Sequence, residues 1–580
     1  MGTSKFSNIP PILDNDTFIT DPTDKVTLFN TFFAKQCTVV PTSSTLPTDG
    51  ATPPFSINTI NISEGKILDL IQGLNANKSH GCDNISIKMI KICDTSLVKP
   101  LYIIYKNCLS KGIYPLEWKK GNILPIHKKD KKHLVKNYRP ISLLPIFGKI
   151  FEKIIFDDLY SHFFGNKLIS DKQSGFRKGD STVKQLLTIC HEINLAFDSN
   201  PTSEIRAVFL DISKAFDKVW HEGLLFKLKR HGVNGKVLEL VTSFLSHRLQ
   251  RVTLEGVHSS WTAIKAGVPQ GSVLGPLFFL VYINDLLEGI QSDGKIFADD
   301  TSLFYKPIDN LTSTRIINQD LATINLWAYQ WKMIFNPDIS KQAVEVVFSR
   351  KNIPNIYDEL VFNDIPVKKV DETKHLGLIL DSKLYFQSHL NEKLKLARKG
   401  IGVIKRLFPY VSRKTLEDIY KLYIRPHLDY ADVIFHIPNK ETTNIYSANE
   451  QDITHPLMKK VESLQYDAAL AVSGAWRGTS REKLYKDLGW ETLHARRELR
   501  RICLFRDIVK DKQPAHLYNN IKHLEPNQNA RGPNPQSLKT LYTRTEHFKL
   551  TFFPSCVLKW NLLDHPTKNL PSQVLFKNHI

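Results

Sequence analysis

Residues 294–305 read Gly294-Lys-Ile-Phe-Ala-Asp299-Asp300-Thr-Ser-Leu-Phe-Tyr305, two short apolar runs separated by adjacent carboxylates. The pattern predicts two strands joined at a tight turn, with Asp299 and Asp300 at its tip. By itself an Asp-Asp pair in a hairpin is ordinary turn chemistry, since Asp side chains bond to nearby backbone. A third carboxylate changes its weight. Arg206-Ala-Val-Phe-Leu-Asp211 is a further apolar run that ends in an acid, and residues 213–230 then read as a helix. Asp211 is therefore expected at the C-terminal end of a strand, the sheet edge where α/β proteins place their ligands.

If these strands lie side by side, three carboxylates converge. Unpaired like charges at that range are strongly unfavourable unless a cation neutralises them. Hard oxygen ligands select Mg²⁺. Two such ions ~3.5–4 Å apart suit an in-line displacement at phosphorus, activating a hydroxyl and stabilising a leaving phosphate.

Between the acidic segments lies Gly267-Val-Pro-Gln270-Gly271-Ser-Val-Leu-Gly275-Pro276, followed by the apolar LFFLVYINDL. Such Gly and Pro spacing fixes a loop against which a backbone or a base packs closely. The plainer reading is a structural turn before a buried helix. Upstream, Asn122-Ile-Leu-Pro-Ile-His127 and Tyr138-Arg-Pro-Ile-Ser-Leu-Leu144 predict two strands joined by a basic tip. Lys128, Lys129, Lys131, Lys132, Lys136 and Arg139 crowd that hairpin against Asp130. A solubilising turn seldom needs such density.

Across the 580 residues, 78 Lys and Arg oppose 58 Asp and Glu, a formal charge of +20 that favours a polyanionic partner such as nucleic acid. Apolar residues at 42% and charged residues at 23% exclude a disordered polyelectrolyte, and the length predicts several lobes. The seven cysteines are scattered, with no C-x-x-C pair, so reduced thiols rather than a zinc knuckle are expected. No apolar run approaches the ~18–20 residues that cross a bilayer; an intracellular protein without membrane contact is expected.

The first 60 residues, with TVVPTSSTLPTDGATPP at 38–54, read as a linker. Helical periodicity begins near Ser63. Beyond 388, Leu390, Leu394, Ala397, Ile401, Ile404 and Leu407 recur at helical steps among Lys and Arg, predicting a basic amphipathic helix. The last part, 441–580, is expected to be helical, with Arg-rich HARRELRR at 494–501 and a polar tail.

The segments LDISKAFDKVWHEGLL, AGVPQGSVLGPLFFLVYINDL and FADDT, in this order, resemble motifs A, B and C of reverse transcriptases, specifically the jockey-like non-LTR retrotransposon type. NYRPISLLPIFGKIFEKII at 137–155 and QSGFRKGDST at 173–182 resemble the family's fingers motifs. HLGLILDSKL at 375–384 resembles its primer grip. The ordered set covers roughly residues 60–525 and is specific, although each member alone is weak.

The resemblance implies an α+β right-hand polymerase with an antiparallel palm sheet. Fingers are expected over 61–205, palm over 206–387, thumb helices over 388–440 and a helical C-terminal domain over 441–580. It implies that Asp211, Asp299 and Asp300 are the catalytic, metal-binding acids, with two Mg²⁺ ions for which Mn²⁺ can substitute. Lys128 and Arg139 match positions that grip the incoming triphosphate; Gln270 and Gly271 match positions that contact nucleotide and template. Phe216, five residues after Asp211, matches the steric gate that excludes a ribose 2′-OH, where RNA-dependent RNA polymerases typically carry Asp. Its structural alternative is core packing. Asp217 is expected to support the site, and Arg177 to help with nucleotide or form a salt bridge.

The implied partners are template RNA, primer or target DNA, and dNTPs, with synthesis in the nucleus and ribonucleoprotein assembly in the cytoplasm. Endonuclease activity is expected from elsewhere, because TLFNTFFAKQC at 27–37 resembles the segment that follows that domain. One departure stands out. The family's motif D reads Asn-x-x-Lys-Thr/Ser, whereas here it is Asn336-Pro-Asp-Ile-Ser-Lys341-Gln342, which strains the assignment of Lys341 as general acid. A competing reading is therefore a nucleic-acid-binding remnant that no longer polymerises. Arg496, Arg497, Arg500 and Arg501 are the candidate nucleic-acid contacts of the C-terminal region.

Overall fold

The computed structural model describes residues 9–39, 42–48, 53–338, 342–438, 455–523 and 537–580. In chain order its strands are β1 (Ile12–Asp14), β2 (Thr17–Ile19), β3 (Lys120–His127), β4 (Tyr138–Leu143), β5 (Glu204–Asp211), β6 (Arg248–Leu254), β7 (Val257–His258), β8 (Thr262–Ile264), β9 (Asp293–Phe297), β10 (Asp300–Tyr305) and β11 (Ala343–Ser349). Short strands follow: β12 (Val361–Phe362), β13 (Ile365–Pro366), β14 (Lys368–Lys369), β15 (Glu372–His375) and β16 (Leu378–Asp381).

Two sheets organise the first 380 residues. One has the order β14-β11-β5-β10-β9, antiparallel except for β11 with β14. Its central strand shows why 207–210 is apolar without alternation. Val208 and Leu210 face a core shared with the helix Gly275–Ile283, buried at every position but Pro276, and the helix Asn310–Gln330, while Ala207 and Phe209 face a second core with the helices Thr182–Ser199 and Gln387–Leu407. A strand covered on both faces needs apolar residues at every position. Val208, Phe209 and Leu210 each contribute roughly 1.5–3 kcal/mol of burial.

Arg206 is the exception in that strand. Its guanidinium, fully buried, pairs with the equally buried Glu345 of β11 at 2.7 Å, donates to Ser313, Thr314 and the Asp358 carbonyl, and lies over the Tyr357 ring. A buried charge survives only when so fully partnered.

The second sheet, β4-β3-β6-β7 with β8 on β6, joins the basic hairpin to residues 248–264, with β3 and β6 parallel. A boundary at 205 therefore does not separate the sheets, because β6 crosses back to pair with the strand at 120–127. The expected linker is also corrected: residues 12–36 form the β1–β2 hairpin and the helix Pro22–Gln36, whose Val26, Phe29 and Phe33 pack on Ile123, Tyr138 and Val252. Asp21 caps that helix by accepting from the backbone of Thr23 and Asp24.

The helix expected over 213–230 is interrupted. A 3₁₀ turn at Ala215–Lys218 precedes the helix His221–Arg230, and Lys214 adopts φ +50°. The break lets the backbone of 216–219 bond to the glycine-rich loop rather than to itself. The basic amphipathic helix is present as Gln387–Leu407, with Leu390, Leu394, Ala397, Ile401 and Ile404 buried.

The polar-tail expectation fails beyond residue 545. Helices Phe552–Leu562 and Gln573–His579 bury Phe552, Phe553, Trp560 and Phe576 against the long helix Leu493–Asp511. No helix among the described residues is long and apolar enough to cross a membrane.

Candidate active site

The three acids meet at one end of the first sheet. Asp211 is the last residue of β5 and lies directly opposite Asp300, the first residue of β10. Directly opposed antiparallel residues have Cβ atoms ~4.5–5.5 Å apart. Asp300 also pairs with Phe297 of β9, so Ala298 and Asp299 form a two-residue turn that sets Asp299 beside the pair. All three are half-buried.

Their electrostatics report the crowding. Burial raises the Asp300 carboxyl to about 7, with the charges of Asp299 and Asp211 adding to it. Asp299 is raised by burial and by Asp211, and is eased by Lys128 and Arg139. The sequence-predicted cations thus face the acids from the second sheet: Lys128 follows β3 and Arg139 lies on β4 opposite Ile126, both exposed.

Two supports of this site were not foreseen. The first is Asn336, whose side-chain Nδ2 donates to Asp211 Oδ2 at 2.7 Å and whose backbone N–H donates to the Asp211 carbonyl at 2.8 Å. Ser213 N–H donates to Ile334, completing a clamp of 334–336 along 211–213. In the sequence Asn336 figures only through its spacing to Lys341; no local signal ties its amide to Asp211, 125 residues away.

The second is Gln173. Its Oε1 accepts from the N–H of both Ala298 and Gly175, while Ser174 and Ile296 bond the segment 172–174 along β9. Ala298 takes φ +54°, a conformation costly for a residue with a Cβ. A Cβ at Gly175 would come within 2.3 Å of the Ala298 nitrogen. Gln173 and Gly175 together thus form a seat for the acidic turn. Arg177 meets the salt-bridge expectation, pairing with Asp171 at 2.9 Å and lying over the Phe164 ring.

The glycine-rich loop stitches three segments together. Gly267 N–H donates to Val219, Val268 N–H to Phe216, and Ser142 N–H of β4 to the Gln270 carbonyl. The Gln270 amide donates to Asp217 at 2.8 Å, and burial raises that carboxyl to about 6. Gly271, at φ +126°, lies so near β4 that a Cβ would stand 2.5 Å from the Ser142 oxygen. Glu152, wholly buried, accepts from the N–H groups of Val273 and Leu274 and caps the helix Gly275–Ile283 from outside. Phe216 stacks on Phe279 of that helix at 4.6 Å and meets Phe176 edge-on at 5.8 Å. Lys341 lies outside the described residues.

The C-terminal arginines are placed differently from the expectation. Arg497 and Arg501 are buried: Arg497 bonds the Leu428 carbonyl beside Asp432, and Arg501 bonds the carbonyls of Val433 and His436. Arg496 and Arg500 pair with Asp429. These side chains cement the helix Leu493–Asp511 to residues 428–436. Nearby, ligand atoms of His436, His494 and Glu498 lie within 4.8 Å of one another, but the Lys559 ammonium already neutralises Glu498.

Comparison with known proteins identifies the domain in which the three acids lie. Residues 126–380 match the family described as reverse transcriptase (RNA-dependent DNA polymerase). The RNA-directed DNA polymerase from the mobile element jockey of Drosophila melanogaster is 32% identical over 65% of this chain and 42% of its own length. The probable RNA-directed DNA polymerase from transposon BS of the same organism is 30% identical over 62% of this chain and 40% of its own length. That from transposon X-element is 29% identical over 74% and 46%. The chain thus spans less than half the length of these curated relatives. Since the matched segment runs from the end of β3 to β16 and contains all three acids, the chain carries a reverse transcriptase domain and is similar to the RNA-directed DNA polymerases of jockey-type non-LTR retrotransposons.

Proposed function

We propose that this chain extends a DNA 3′-OH primer on an RNA template with dNTPs, as the polymerase portion of a non-LTR retrotransposon. The observation that carries the reading is the register of Asp300 opposite Asp211, with Asp299 in the adjoining turn, inside a matched reverse transcriptase domain.

The donor chemistry fits hard divalent cations. Burial and the neighbouring Asp211 charge raise the carboxyls of Asp299 and Asp300, and the facing cations, Lys128 and Arg139, are exposed. Asp211, Asp299 and Asp300 would hold Mg²⁺, or Mn²⁺ in its place, and bound ions supply hydroxyl activation and neutralisation of the leaving pyrophosphate. The chain's own groups do the rest. Lys128 and Arg139 attract and orient the triphosphate through charge-assisted hydrogen bonds. Phe216, braced by Phe279, fills the space of a ribose 2′-OH. Gln270 and Gly271, fixed to Asp217 and β4, offer a rigid floor to base and template. Asn336 holds the rotamer of Asp211.

The right-hand description follows from the same reading. The first sheet, within 206–387, serves as palm; the basic hairpin and 61–205, joined by 248–264, as fingers; and the helices of 388–440 as thumb. The described residues of 455–523 and 537–580 buttress the thumb. Template RNA, primer or target DNA and dNTPs are the partners, with synthesis in the nucleus, assembly in the cytoplasm, and nicked ends supplied by a nuclease activity not assigned to these residues. The remnant reading rests on the expanded 336–341 spacing, and the intact Asn336–Asp211 clamp opposes it. Incorporation of labelled dTTP on poly(rA)/oligo(dT), dependent on divalent metal, tests the proposal; a folded protein that binds the duplex but incorporates nothing would favour the remnant.

A further inference from the structure

Trp476 is 88% exposed, yet the loop that carries it is firmly pinned. The N–H and hydroxyl of Thr479 both donate to the Trp476 carbonyl, at 3.1 and 2.7 Å. The Tyr466 hydroxyl donates to the Thr479 carbonyl and accepts from Gly478 N–H, while Arg481 lies over the Tyr466 ring. On its other side the loop begins at Gly474, φ +72°, where an added Cβ would come within 2.4 Å of the Phe408 ring. A large aromatic side chain held in open water by an ordered backbone gives up apolar contact that folding could have used. Grouped with other exposed aromatics, such a residue marks a contact surface.

What lies beside the loop names the contact. A groove of about 440 Å³ runs between the end of the helix Gln387–Leu407 and the end of the helix Pro456–Ser473, lined by Lys405, Phe408, Asp467, Leu470 and Arg477. Phe408 is partly exposed in it, and Tyr410, two residues on, is 81% exposed. Two cations outnumber the Asp467 carboxylate, and the chain as a whole carries +20. Aromatic faces beside cations match a strand that alternates flat bases with phosphates.

We propose that this groove binds single-stranded RNA, with Trp476 stacking on a base and Lys405 and Arg477 facing the flanking phosphates. The choice of RNA as occupant rests on the polymerase reading; the geometry of the groove does not. It places a grip on the template away from the carboxylates, at the junction of the proposed thumb and the C-terminal helices.

The test is fluorescence anisotropy of the full chain with a labelled uridine oligoribonucleotide. W476A is expected to weaken binding about tenfold, the scale of one lost base–aromatic stack, and W476F to keep most of the affinity. A K405A/R477A double variant should flatten the dependence of log affinity on log salt by roughly 1.4, two single-strand phosphate contacts. Unchanged affinity in W476A, or an equal loss in W476F, overturns the stacking site. So does a W476A defect confined to anionic lipid vesicles or to the matching oligodeoxyribonucleotide. Primer extension on a short-overhang duplex, run with the same preparations, separates the two proposals. A parent that binds RNA through Trp476 but extends nothing would sink the polymerase reading alone, whereas a parent that extends while W476A binds RNA as tightly as it does would sink the groove alone.

Discussion

The Asn336 side-chain amide donates to Asp211 Oδ2 at 2.7 Å, and the same residue's backbone N–H donates to the Asp211 carbonyl at 2.8 Å. One residue therefore fixes both the strand end and the carboxylate rotamer. A hydrogen bond to a charged group is worth about 1.5–3 kcal/mol. N336A is expected to slow primer extension about tenfold or more and to raise the Mg²⁺ concentration needed for half-maximal rate. N336D should be worse, since it adds a fourth negative charge to a crowded site. A Mg²⁺ titration of N336A that superimposes on the parent's would remove Asn336 from the machinery.

Gly175 fits beneath the acidic turn only because it lacks a Cβ, which would sit 2.3 Å from the Ala298 nitrogen. G175A must push the turn or break the two bonds that Gln173 accepts. We expect extension to fall by more than about tenfold while thermal stability drops by about 1–3 kcal/mol, the range for forced overpacking. Extension rates and urea unfolding of the same variant check both parts.

Phe216 is held by Phe279 and Phe176, so its ring cannot swing aside for a larger sugar. F216V should raise the use of ribonucleotides relative to deoxyribonucleotides about tenfold or more, the scale of one relieved steric clash. Parallel single-nucleotide incorporation with dTTP and UTP measures it. An unchanged ratio would leave Phe216 as a core residue.

Much of this site was legible because its acids end apolar runs, and the strand period then dictates who faces whom. Asp211 opposite Asp300 follows once β5 and β10 are adjacent. What was not legible is non-local. Gln173 reaches Ala298 across 125 residues, and Asn336 reaches Asp211 across another 125. HARRELRR looked like a nucleic-acid surface because charge density alone does not reveal burial; Asp429 and Asp432, more than sixty positions upstream, turn it inward. The helix at residues 22–36 was missed because its burial depends on β6, over two hundred residues away.

Acid should unfold the protein through its buried histidines. Burial depresses His191 and His375 to about 4 and His436 to about 3. Each stays neutral in the folded chain but takes a proton once unfolded, so the unfolded state binds more protons below its own value near 6.5. Stability is therefore lost as pH falls from about 6.5 towards 4, by up to about 1.4 kcal/mol per pH unit for each such histidine. H375F, which keeps a ring beside Phe209 but cannot titrate, should shallow that decline. Urea midpoints across this range decide it, and parallel pH profiles for H375F and parent would count against the assignment.

The most direct test of the polymerase reading is extension of oligo(dT) on poly(rA) with Mg²⁺ and labelled dTTP, comparing the parent with D299N/D300N. The double substitution removes two negative charges with little change in side-chain size. The account predicts metal-dependent extension by the parent and its loss in the variant, with duplex binding retained. Equal extension by both proteins would contradict it, because the carboxylates opposite and beside Asp211 would then have no part in the chemistry.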